Sequence, residues 1–440
     1  MLTTRLQVVL VVAVLCLGCH RAQSQPEIAE GMDDVLQPYT GPTSQGVDVS
    51  TLEGKIMCGY QGWFACEGDG LDRGWYHYNG RNGFRPGSCS IDLWPDMSEL
   101  GEDERFDTEF RHADGSVAQV YSAQIPRSVD RHFEWMAEYG IDGAFVQRFA
   151  GEVAHSKGFE QFTKVLANCR AAANNHGRAY ALMYDLSGLP RGGTERVIED
   201  FKTLVDRMGL TRDTGDKAYL HHGGKPVVAV WGIGFNDRRQ YTLEECGRLI
   251  DFLKSDPEYG GCTVMIGVPT FWRELRNDAL NDPALHEVAL KADIISPWMV
   301  GRFGHPNDVA RFRQEVFEPD MAWCAERGKD YLPVVFPGFS WRNLQGPGAD
   351  LGAIPRRGGR FLWAQYAGLI EAGATMIYQA MFDEVDEGTA IFKCTNDPPV
   401  GESPFLTYGG RPTDHYLWLV GQAGRMLRGE IPFSMSLPHR

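Results

Sequence analysis

Residues 374–393, ATMIYQAMFDEVDEGTAIFK, begin as an apolar run that is long enough for a buried strand. Four carboxylic acids then follow within five positions: Asp383, Glu384, Asp386 and Glu387. Two interpretations fit this stretch. In the first it is a solvated acidic loop, where most charge clusters belong because like charges repel. In the second the strand carries the acids into a pocket, where repulsion and partial burial raise the pKa of one acid and leave its neighbour ionised.

Seven more short apolar runs lie upstream of this one, and longer amphipathic segments separate them. Several of these segments end just before a glycine, as helices do at a C-cap. The alternation therefore predicts eight strands with helices between them. The runs are KIMCGYQGW (55–63), DGAFVQRF (142–149), AYALMYDLSG (179–188), PVVAVWGIGF (226–235), CTVMIGVP (262–269), ADIISPWM (292–299), YLPVVFPGF (331–339) and ATMIYQAMF (374–382).

Near-continuous apolar strands separated by helices indicate a parallel sheet that helices cover on its outer face. Eight such units in one chain predict an α/β fold, the closed (β/α)8 or TIM barrel. An open doubly wound sheet is the alternative. The phosphate-binding signatures that often accompany open sheets are missing: no GxGxxG opens a helix after the first strand, and GxxxxGK[ST] does not occur.

The composition is that of a folded protein with no general affinity for nucleic acid. The chain has 440 residues, of which 43% are hydrophobic, and its formal charge is −15 at pH 7, which disfavours binding to a phosphate backbone. Its 11 Trp, 16 Tyr, 23 Phe and 51 Gly suit a carbohydrate site, although core packing accounts for most aromatic residues. Carbohydrate is therefore the expected partner.

Residues 1–24 have the pattern of an export signal. Arg5 supplies a positive charge, and LQVVLVVAVLCLG is an apolar core too short to span a bilayer as a mature helix. Cleavage either follows Ser24 or precedes Cys19, which would give a lipid-modified cysteine of the bacterial lipoprotein kind. We expect a periplasmic, cell-surface or extracellular protein whose membrane attachment, if any, is a lipid anchor at Cys19. Nothing after residue 25 resembles a membrane span.

The rest of the chain divides into a short polar segment and one large domain. Residues 25–50 have no periodicity and are expected to be a linker or an N-terminal arm. Residues 51–430 are expected to form the (β/α)8 domain. Its eight cysteines show no CxxC spacing, so no zinc site is expected. Export permits disulfides, and Cys66 with Cys89 is the first pair to test.

In a barrel of this kind the chemistry lies at the C-terminal ends of the strands. Aromatic, amide, guanidinium and carboxylate groups follow the apolar runs, and they suit a pyranose, whose C–H face stacks on rings while its hydroxyls need polar partners. The expected substrate-binding residues are Gln61, Trp63, Gln147, Arg148, Tyr184, Asp185, Trp231, Trp298 and Trp341, with Phe64, Phe271, Trp272, Arg302 and Phe339 beside them. The long insertion at 65–120 is expected to add a wall through Trp75, Tyr76, Tyr78, Trp94 and Asp96.

The chain also resembles a known family. KIMCGYQGWF, DLWPDMSEL, VDRHFEWMAEYGIDGAFVQRF, PVVFPGFSW and above all FDEVDEGTAIFK are similar to segments of glycoside hydrolases of families 71 and 99, bacterial members of which are often labelled xylosidase or arabinosidase. The resemblance covers roughly residues 52–428 and implies an enzyme that hydrolyses O-glycosyl bonds. In family 99 the last strand ends in Asn-Glu-Trp-His-Glu-Gly-Thr, whose two Glu are the catalytic pair.

The match implies that Glu384 and Glu387 are the catalytic residues of this chain. Three motif positions differ, because the family's Asn, Trp and His are replaced by Asp383, Val385 and Asp386. The resemblance therefore implies the catalytic acids more strongly than the sugar preference of family 99. DLWPDMSEL is similar to a block that helps to shape the sugar site, which makes Asp96 and Glu99 binding candidates.

A spacing of three predicts that Glu384 and Glu387 share one side of a helical turn, with Cβ atoms about 5–6 Å apart. Retaining glycosidases have roughly 5–5.5 Å between their carboxyl groups, whereas an inverting pair must leave room for a water. The resemblance further implies retention through a 1,2-anhydro sugar, with Glu384 as base toward the substrate's 2-hydroxyl and Glu387 as acid. Asp383 and Asp386 are then expected to orient neighbouring groups, and Asp383 is also counted among the expected substrate-binding residues.

Two other functions fit the same residues. A non-catalytic carbohydrate-binding protein on this fold would keep the aromatic strand ends, but it does not need a strained acidic cluster. The four acids would also suit Ca²⁺ or Mg²⁺, because hard cations favour clustered oxygen ligands. DEVDEG lacks the alternating spacing of a calcium loop, so no metal and no other cofactor is expected.

Overall fold

The computed structural model describes residues 32–440, so the expected export signal and Cys19 lie outside the described residues. Within this range the strands are β1 Ile56–Tyr60, β2 Phe106–Arg111, β3 Val117–Val120, β4 Gly143–Phe149, β5 Ala179–Asp185, β6 His221–His222, β7 Lys225–Trp231, β8 Thr263–Pro269, β9 Ile294–Trp298, β10 Asp330–Tyr331, β11 Val334–Val335 and β12 Ile377–Gln379. The helices are α1 Pro126–Tyr139, α2 Ser156–His176, α3 Thr194–Met208, α4 Leu243–Ser255, α5 Ala284–Lys291, α6 Pro306–Phe312, α7 Glu318–Glu326, α8 Arg342–Gln345, α9 Arg360–Glu371 and α10 His415–Leu427, with a π-helical turn, Arg313–Phe317, between α6 and α7.

The eight apolar runs close into a parallel barrel. Strand β1 pairs with β4 on one side and with β12 on the other, and the ladder continues from β4 through β5, β7 and β8 to β9. The seventh run fills the remaining gap with two short strands, of which β10 pairs with β9 and β11 pairs with β12. The predicted (β/α)8 barrel is confirmed, and the open-sheet alternative is wrong.

Pro333 lies where the seventh strand is divided. Leu332 still donates its N–H to the carbonyl of Ile295 in β9, at 2.9 Å, whereas the carbonyl of Pro333 accepts the N–H of Tyr378 in β12, at 2.9 Å. A proline has no N–H with which to continue a ladder. The chain therefore changes pairing partner at this residue, from β9 to β12, and this change completes the barrel.

Helices cover the outside of the barrel, and three of them end at the glycines that the sequence predicts. Helices α1, α2 and α3 stop at Gly140, Gly177 and Gly209, whose φ angles are 73°, 58° and 66°. Glycine adopts this left-handed conformation without a steric penalty. Among the helices of residues 32–440, none is long and apolar enough to cross a membrane.

The insertion after β1 has a small core of its own. Strands β2 and β3 pair as an antiparallel hairpin, and the ring of Phe84 lies with its centroid 5.0–5.8 Å from those of Trp75, Tyr78, Trp94 and Phe110. Aromatic rings at such distances attract one another as well as burying apolar surface. Trp75, Tyr78 and Trp94 therefore hold the insertion together, and they do not form the expected wall of the active-site face.

The segment before the barrel packs against it. Met32 and Leu36 are buried, and the N–H of Val47 donates to the carbonyl of Gly177 at 3.0 Å. Residues 32–50 are thus an ordered arm.

All eight cysteines of the described residues are buried free thiols. The thiol of Cys66 donates to the carbonyl of Tyr121 at 3.2 Å, and that of Cys89 lies 3.5 Å from the hydroxyl of Ser403. The expected Cys66–Cys89 disulfide is therefore not formed, because the two side chains have separate partners.

Candidate active site

A cavity of about 540 Å³ opens at the C-terminal ends of the barrel strands. Gln61 and Trp63 follow β1, Gln147 lies in β4, and Trp231 and Trp298 end β7 and β9; all five border the cavity. The two Glu side chains of the acidic loop, Glu384 and Glu387, also border it. The barrel thus places at one opening several of the residues that the strand-end argument selected from distant parts of the sequence.

The acidic loop is not solvated. Asp383, Glu384 and Asp386 have exposed fractions of 0%, 3% and 1%, and only Glu387 is half-buried, against the cavity. Burial of an isolated carboxylate is unfavourable, so each acid needs hydrogen bonds, a charged partner or a proton. The interpretation of this stretch as an exposed acidic loop is therefore wrong.

The loop is a turn and not the helical turn that the spacing predicts. Its backbone closes where the carbonyl of Glu384 accepts the N–H groups of Thr389, at 3.2 Å, and of Ala390, at 2.9 Å. Gly388 makes this closure possible, because its φ is 64° and an added Cβ would lie only 3.0 Å from Ser340. The guanidinium of Arg356 donates to the backbone carbonyls of Gly388 and Ala390, and these two hydrogen bonds hold the turn in place.

Glu384 is held by two hydrogen bonds. The side-chain amide of Gln61 donates to its Oε1, and the hydroxyl of Thr389 donates to its Oε2. Burial raises the pKa of Glu384 well above its usual range, and the carboxylates of Glu387 and Asp386 raise it further, whereas the two hydrogen bonds lower it. Both donors favour the ionised form.

The carboxyl of Glu387 has, among the described residues, no hydrogen bonds of the kind that hold Glu384. Within residues 32–440 its carboxyl has no hydrogen-bond partner, while its backbone carbonyl accepts the N–H of Ser340 at 2.8 Å. Burial, and after it the negative charges of Asp386 and Asp185, raise the pKa of Glu387 to about 7. Unlike Glu384, Glu387 therefore has no hydrogen-bond donor in the described chain that stabilises its ionised form.

Asp383 lies behind the cavity and does not border it. Its two oxygens accept the backbone N–H groups of Gln61 and Gly62, at 2.8 and 2.9 Å. Burial raises the pKa of Asp383 to about 7, and these two hydrogen bonds act in the opposite direction. Asp383 was expected among the substrate-binding residues, but its carboxyl binds the backbone that follows β1 and does not face the cavity.

Asp386 contacts a residue that the sequence did not single out. Its Oδ2 lies 3.0 Å from Nδ1 of His77 in the insertion, and the His77 ring is stacked on Trp63 with centroids 3.8 Å apart and planes 7° apart. His77 borders the cavity together with Tyr76, the one residue of the expected insertion wall that does so. No local pattern marks His77, because its partner is 309 residues away in the chain.

Aromatic rings make up much of the cavity wall. Trp63 packs on Phe149 with centroids 5.0 Å apart, and Trp231 meets Trp298 edge to face at 5.4 Å. Flat apolar faces of this kind suit the C–H face of a sugar.

Four buried polar atoms on the wall have no partner among residues 32–440: Oε1 of Gln61, Nε1 of Trp63, Oε1 of Gln147 and Nε1 of Trp231. Buried polar groups are nearly always hydrogen-bonded in proteins. The wall thus combines ring faces with unsatisfied donors and acceptors.

The charges on the wall are negative. Four carboxylates border the cavity, those of Glu152, Asp185, Glu384 and Glu387, and no lysine or arginine of the described chain does. Two guanidinium groups lie behind the wall and are engaged there. Arg73 pairs with Glu152 at 2.7 Å, and Arg239 pairs with Asp237 at 2.9 Å.

Asp185 ends β5 and brings a third acid to the wall near the acidic loop. Its Oδ1 accepts the backbone N–H of Ser187 at 2.7 Å. Burial raises the pKa of Asp185, and the hydrogen bonds from Ser187, with the charge of Arg239, lower it.

Arg148 and Tyr184 do not reach the cavity, which corrects the expectation for both. Side chains alternate between the two faces of a strand. Gln147 and Asp185 take the inner face, so Arg148 and Tyr184 point outward to α3. There Arg148 donates to both oxygens of Asp200 at 2.6 Å, and the Tyr184 hydroxyl donates to the same carboxylate at 2.6 Å.

Asp96, Glu99 and Trp341 also lie away from the cavity. Asp96 borders a separate groove of about 260 Å³ beside the β2–β3 hairpin. Glu99 pairs with Lys393 at 2.6 Å. Trp341 has an exposed fraction of 39% and packs on Phe339 outside the cavity.

Of the residues placed beside the expected site, Phe64 and Trp272 are fully buried, and Phe271, Arg302 and Phe339 do not border the cavity. In the described part of the chain, no group of three or more His, Cys, Asp or Glu side chains is arranged to hold a metal ion.

No protein-family model and no curated protein sequence matches the chain. Among solved structures, the GH99 endo-alpha-mannosidase from Bacteroides thetaiotaomicron is similar, with a TM-score of 0.61 and 16% identity over 86% of this chain and 99% of that one. A structure of the GH99 endo-alpha-mannosidase in complex with bis-tris-propane gives a TM-score of 0.58 and 18% identity over the same shares. The chain therefore has the (β/α)8 barrel fold of these glycoside hydrolases, as the sequence resemblance implied.

Proposed function

We propose that this protein is a glycoside hydrolase of the family 99 type that cleaves a neutral oligo- or polysaccharide, with Glu384 and Glu387 as its acid/base pair. One observation carries the proposal. Two neighbouring carboxyls border an aromatic cavity at the catalytic end of a (β/α)8 barrel, one held by two hydrogen bonds and the other free. The fold that the chain shares with an endo-alpha-mannosidase supports it.

The unequal support of the two acids assigns their roles. At neutral pH the pair holds one proton, because burial and mutual repulsion oppose two charges. Glu384 accepts hydrogen bonds from Gln61 and Thr389, so it carries the charge and serves as the base. Glu387 has no donor among the described residues that stabilises its charge, so it keeps the proton and serves as the acid.

The proposed reaction retains configuration through a 1,2-anhydro sugar. Glu384 removes the proton from the substrate's 2-hydroxyl, whose oxygen attacks C1, while Glu387 gives its proton to the departing glycosidic oxygen. Glu387 then takes a proton from a water that opens the three-membered ring, and Glu384 returns its proton to O2. Two acids on one turn do not flank the sugar from opposite faces, as direct displacement by an enzyme carboxylate requires.

The charges of the cavity limit the substrate class. Four acidic side chains border it, and among residues 32–440 no lysine or arginine does. An acidic sugar would lie a few ångströms from the ionised acids with no lysine or arginine of that range on the wall to pair with it, at an unfavourable energy of about 4 kcal/mol for each close pair. We therefore propose a neutral substrate. Val385 and Asp386 replace the Trp and His of the family 99 motif, so mannose is one candidate among several.

The test is a saccharide panel with product detection by mass. Purified protein is incubated with neutral α-mannan, xylan, arabinan and α-glucan, and with a polyuronate as the charged control. The proposal expects hydrolysis of a neutral member and at least 100-fold less of the polyuronate. Binding of a neutral member without any cleavage would favour the non-catalytic carbohydrate-binding alternative, and hydrolysis of the polyuronate alone would contradict the substrate class.

Export is a separate proposal, because residues 1–31 lie outside the described residues. It rests on the sequence of residues 1–24 alone. Cell fractionation with fatty-acid labelling tests it. Label that is lost in Cys19→Ala supports a lipid anchor, unlabelled exported protein beginning at Gln25 supports ordinary cleavage, and cytoplasmic protein contradicts export.

A further inference from the structure

The imidazole of His77 is fixed from two directions. Its Nδ1 is hydrogen-bonded to Oδ2 of Asp386 at 3.0 Å, and one ring face lies flat on Trp63 at 3.8 Å between centroids. The hydrogen bond sets the rotation of the ring and the stacking sets its plane. A histidine held in this way loses little conformational freedom when it binds a ligand.

The backbone of His77 is held in an uncommon conformation. Its φ is 62°, in the left-handed region that residues other than glycine rarely occupy. Its carbonyl accepts a hydrogen bond from the hydroxyl of Ser90, which fixes the peptide on that side. Backbone strain of this kind persists where the surroundings impose it, and it is concentrated at binding and catalytic sites.

The free edge of the ring is turned to the cavity. His77 borders the cavity with 27% of its side chain exposed, and its Nε2 has no partner among residues 32–440. With Nδ1–H given to Asp386, Nε2 accepts a hydrogen bond in the neutral imidazole and donates one in the charged form. A sugar hydroxyl both donates and accepts, so it can bind either form.

From this arrangement we propose that His77 is a substrate-binding residue, whose Nε2 contacts a hydroxyl of the sugar bound beside Glu387. The inference rests on the proposed glycosidase function and adds to it a specificity determinant that comes from the insertion and not from the barrel. Asp386 is then a positioning residue, because it acts on the sugar through the imidazole. The unpartnered Oδ1 of Asp386, which is buried, adds a second acceptor behind the ring.

The variant that tests the proposal is His77→Asn. Asparagine tolerates the left-handed backbone, and its side-chain N–H can replace Nδ1 toward Asp386 while leaving nothing in place of Nε2. His112→Asn is the matched control, since Nδ1 of His112 lies 2.9 Å from the carbonyl of Asp397 in the same insertion but outside the cavity. Both are made in the Glu387→Gln background, so that binding is measured without turnover.

The probe is the neutral oligosaccharide that the wild-type protein cleaves best, together with its monodeoxy analogues, and calorimetry gives each Kd. We expect His77→Asn to weaken binding about 10-fold and His112→Asn to leave it unchanged, with equal thermal unfolding. One deoxy analogue should bind the parent weakly and lose no further affinity in His77→Asn.

Three results would overturn the inference, and they differ in what else they reject. Equal Kd values in His77→Asn and its parent, or further affinity lost with every analogue, reject His77 alone. If the wild-type protein neither binds nor cleaves any saccharide, the proposed function fails and the inference falls with it.

Discussion

The backbone N–H of Gln61 lies 2.8 Å from Oδ1 of Asp383, and the same residue's side-chain amide donates to Glu384. The backbone N–H of Gly62 donates to the other carboxyl oxygen of Asp383, at 2.9 Å. The chain leaving the first strand therefore fixes the acidic loop that follows the last strand. Asp383 takes part in this connection and has no face toward the cavity.

Asp383→Asn should reduce stability more than catalysis. Asparagine keeps one carbonyl oxygen for one of the two N–H groups and leaves the other without an acceptor, which costs about 1–3 kcal/mol of unfolding free energy. Denaturant unfolding measures this loss, and kcat on the best substrate should fall far less than in Glu384→Gln or Glu387→Gln. A kcat as low as theirs would mean that the proton-transfer roles are wrongly placed.

The pH profile should have an alkaline limb near 7. Glu387 must hold a proton to act as the acid, and its pKa is about 7, so kcat/KM should fall about tenfold per pH unit above that value. Asp185→Asn removes a negative charge that raises the pKa of Glu387, so the fall should begin at a lower pH. Asp96→Asn, outside the cavity, is the control. An alkaline limb that stays in place or moves upward in Asp185→Asn contradicts the assignment.

Arg148→Ala should destabilise the fold and leave substrate binding alone. Removal of the guanidinium leaves the carboxylate of Asp200 without its cationic partner. The Asp200 side chain is only 5% exposed, and it would keep the hydrogen bond from the Tyr184 hydroxyl. Breaking a buried ion pair in this way typically lowers the unfolding free energy by about 3–5 kcal/mol. KM should be unchanged in protein that remains folded. A large rise in KM without loss of stability would mean that Arg148 binds the substrate after all.

The sequence was sufficient for the barrel because strands and helices leave local periodic patterns, and the eight apolar runs map onto the eight barrel positions. It was insufficient where a shift of one residue along a strand decides which side chain faces the cavity. Gln147 and Arg148 are neighbours in one strand, and only the packed barrel shows which faces inward. It was also insufficient for His77, whose partner Asp386 is 309 residues away in the chain.

Participation of the substrate's 2-hydroxyl predicts how a 2-deoxy analogue behaves. Without that hydroxyl the base Glu384 has no nucleophile to activate, so the analogue should bind and not be turned over. Product analysis by mass, with the 2-hydroxy substrate as control, decides this. Hydrolysis of the 2-deoxy analogue at a comparable rate, or a covalent glycosyl adduct on either Glu, would replace the anhydro-sugar route with ordinary double displacement.

The central claim is that Glu384 and Glu387 carry out the chemistry, and kcat of their Gln variants tests it most directly. Each change keeps the size of the side chain and removes the proton-transfer group. In Glu384→Gln the hydroxyl of Thr389 can turn to accept a hydrogen bond from the new amide, so Gln61 and Thr389 both keep a partner. Glu99→Gln is the matched control, because Glu99 pairs with Lys393 outside the cavity. We expect kcat to fall at least 100-fold in Glu384→Gln and in Glu387→Gln, with thermal unfolding like that of the wild-type protein and no fall in Glu99→Gln. A wild-type kcat in either of the two cavity variants would contradict the account.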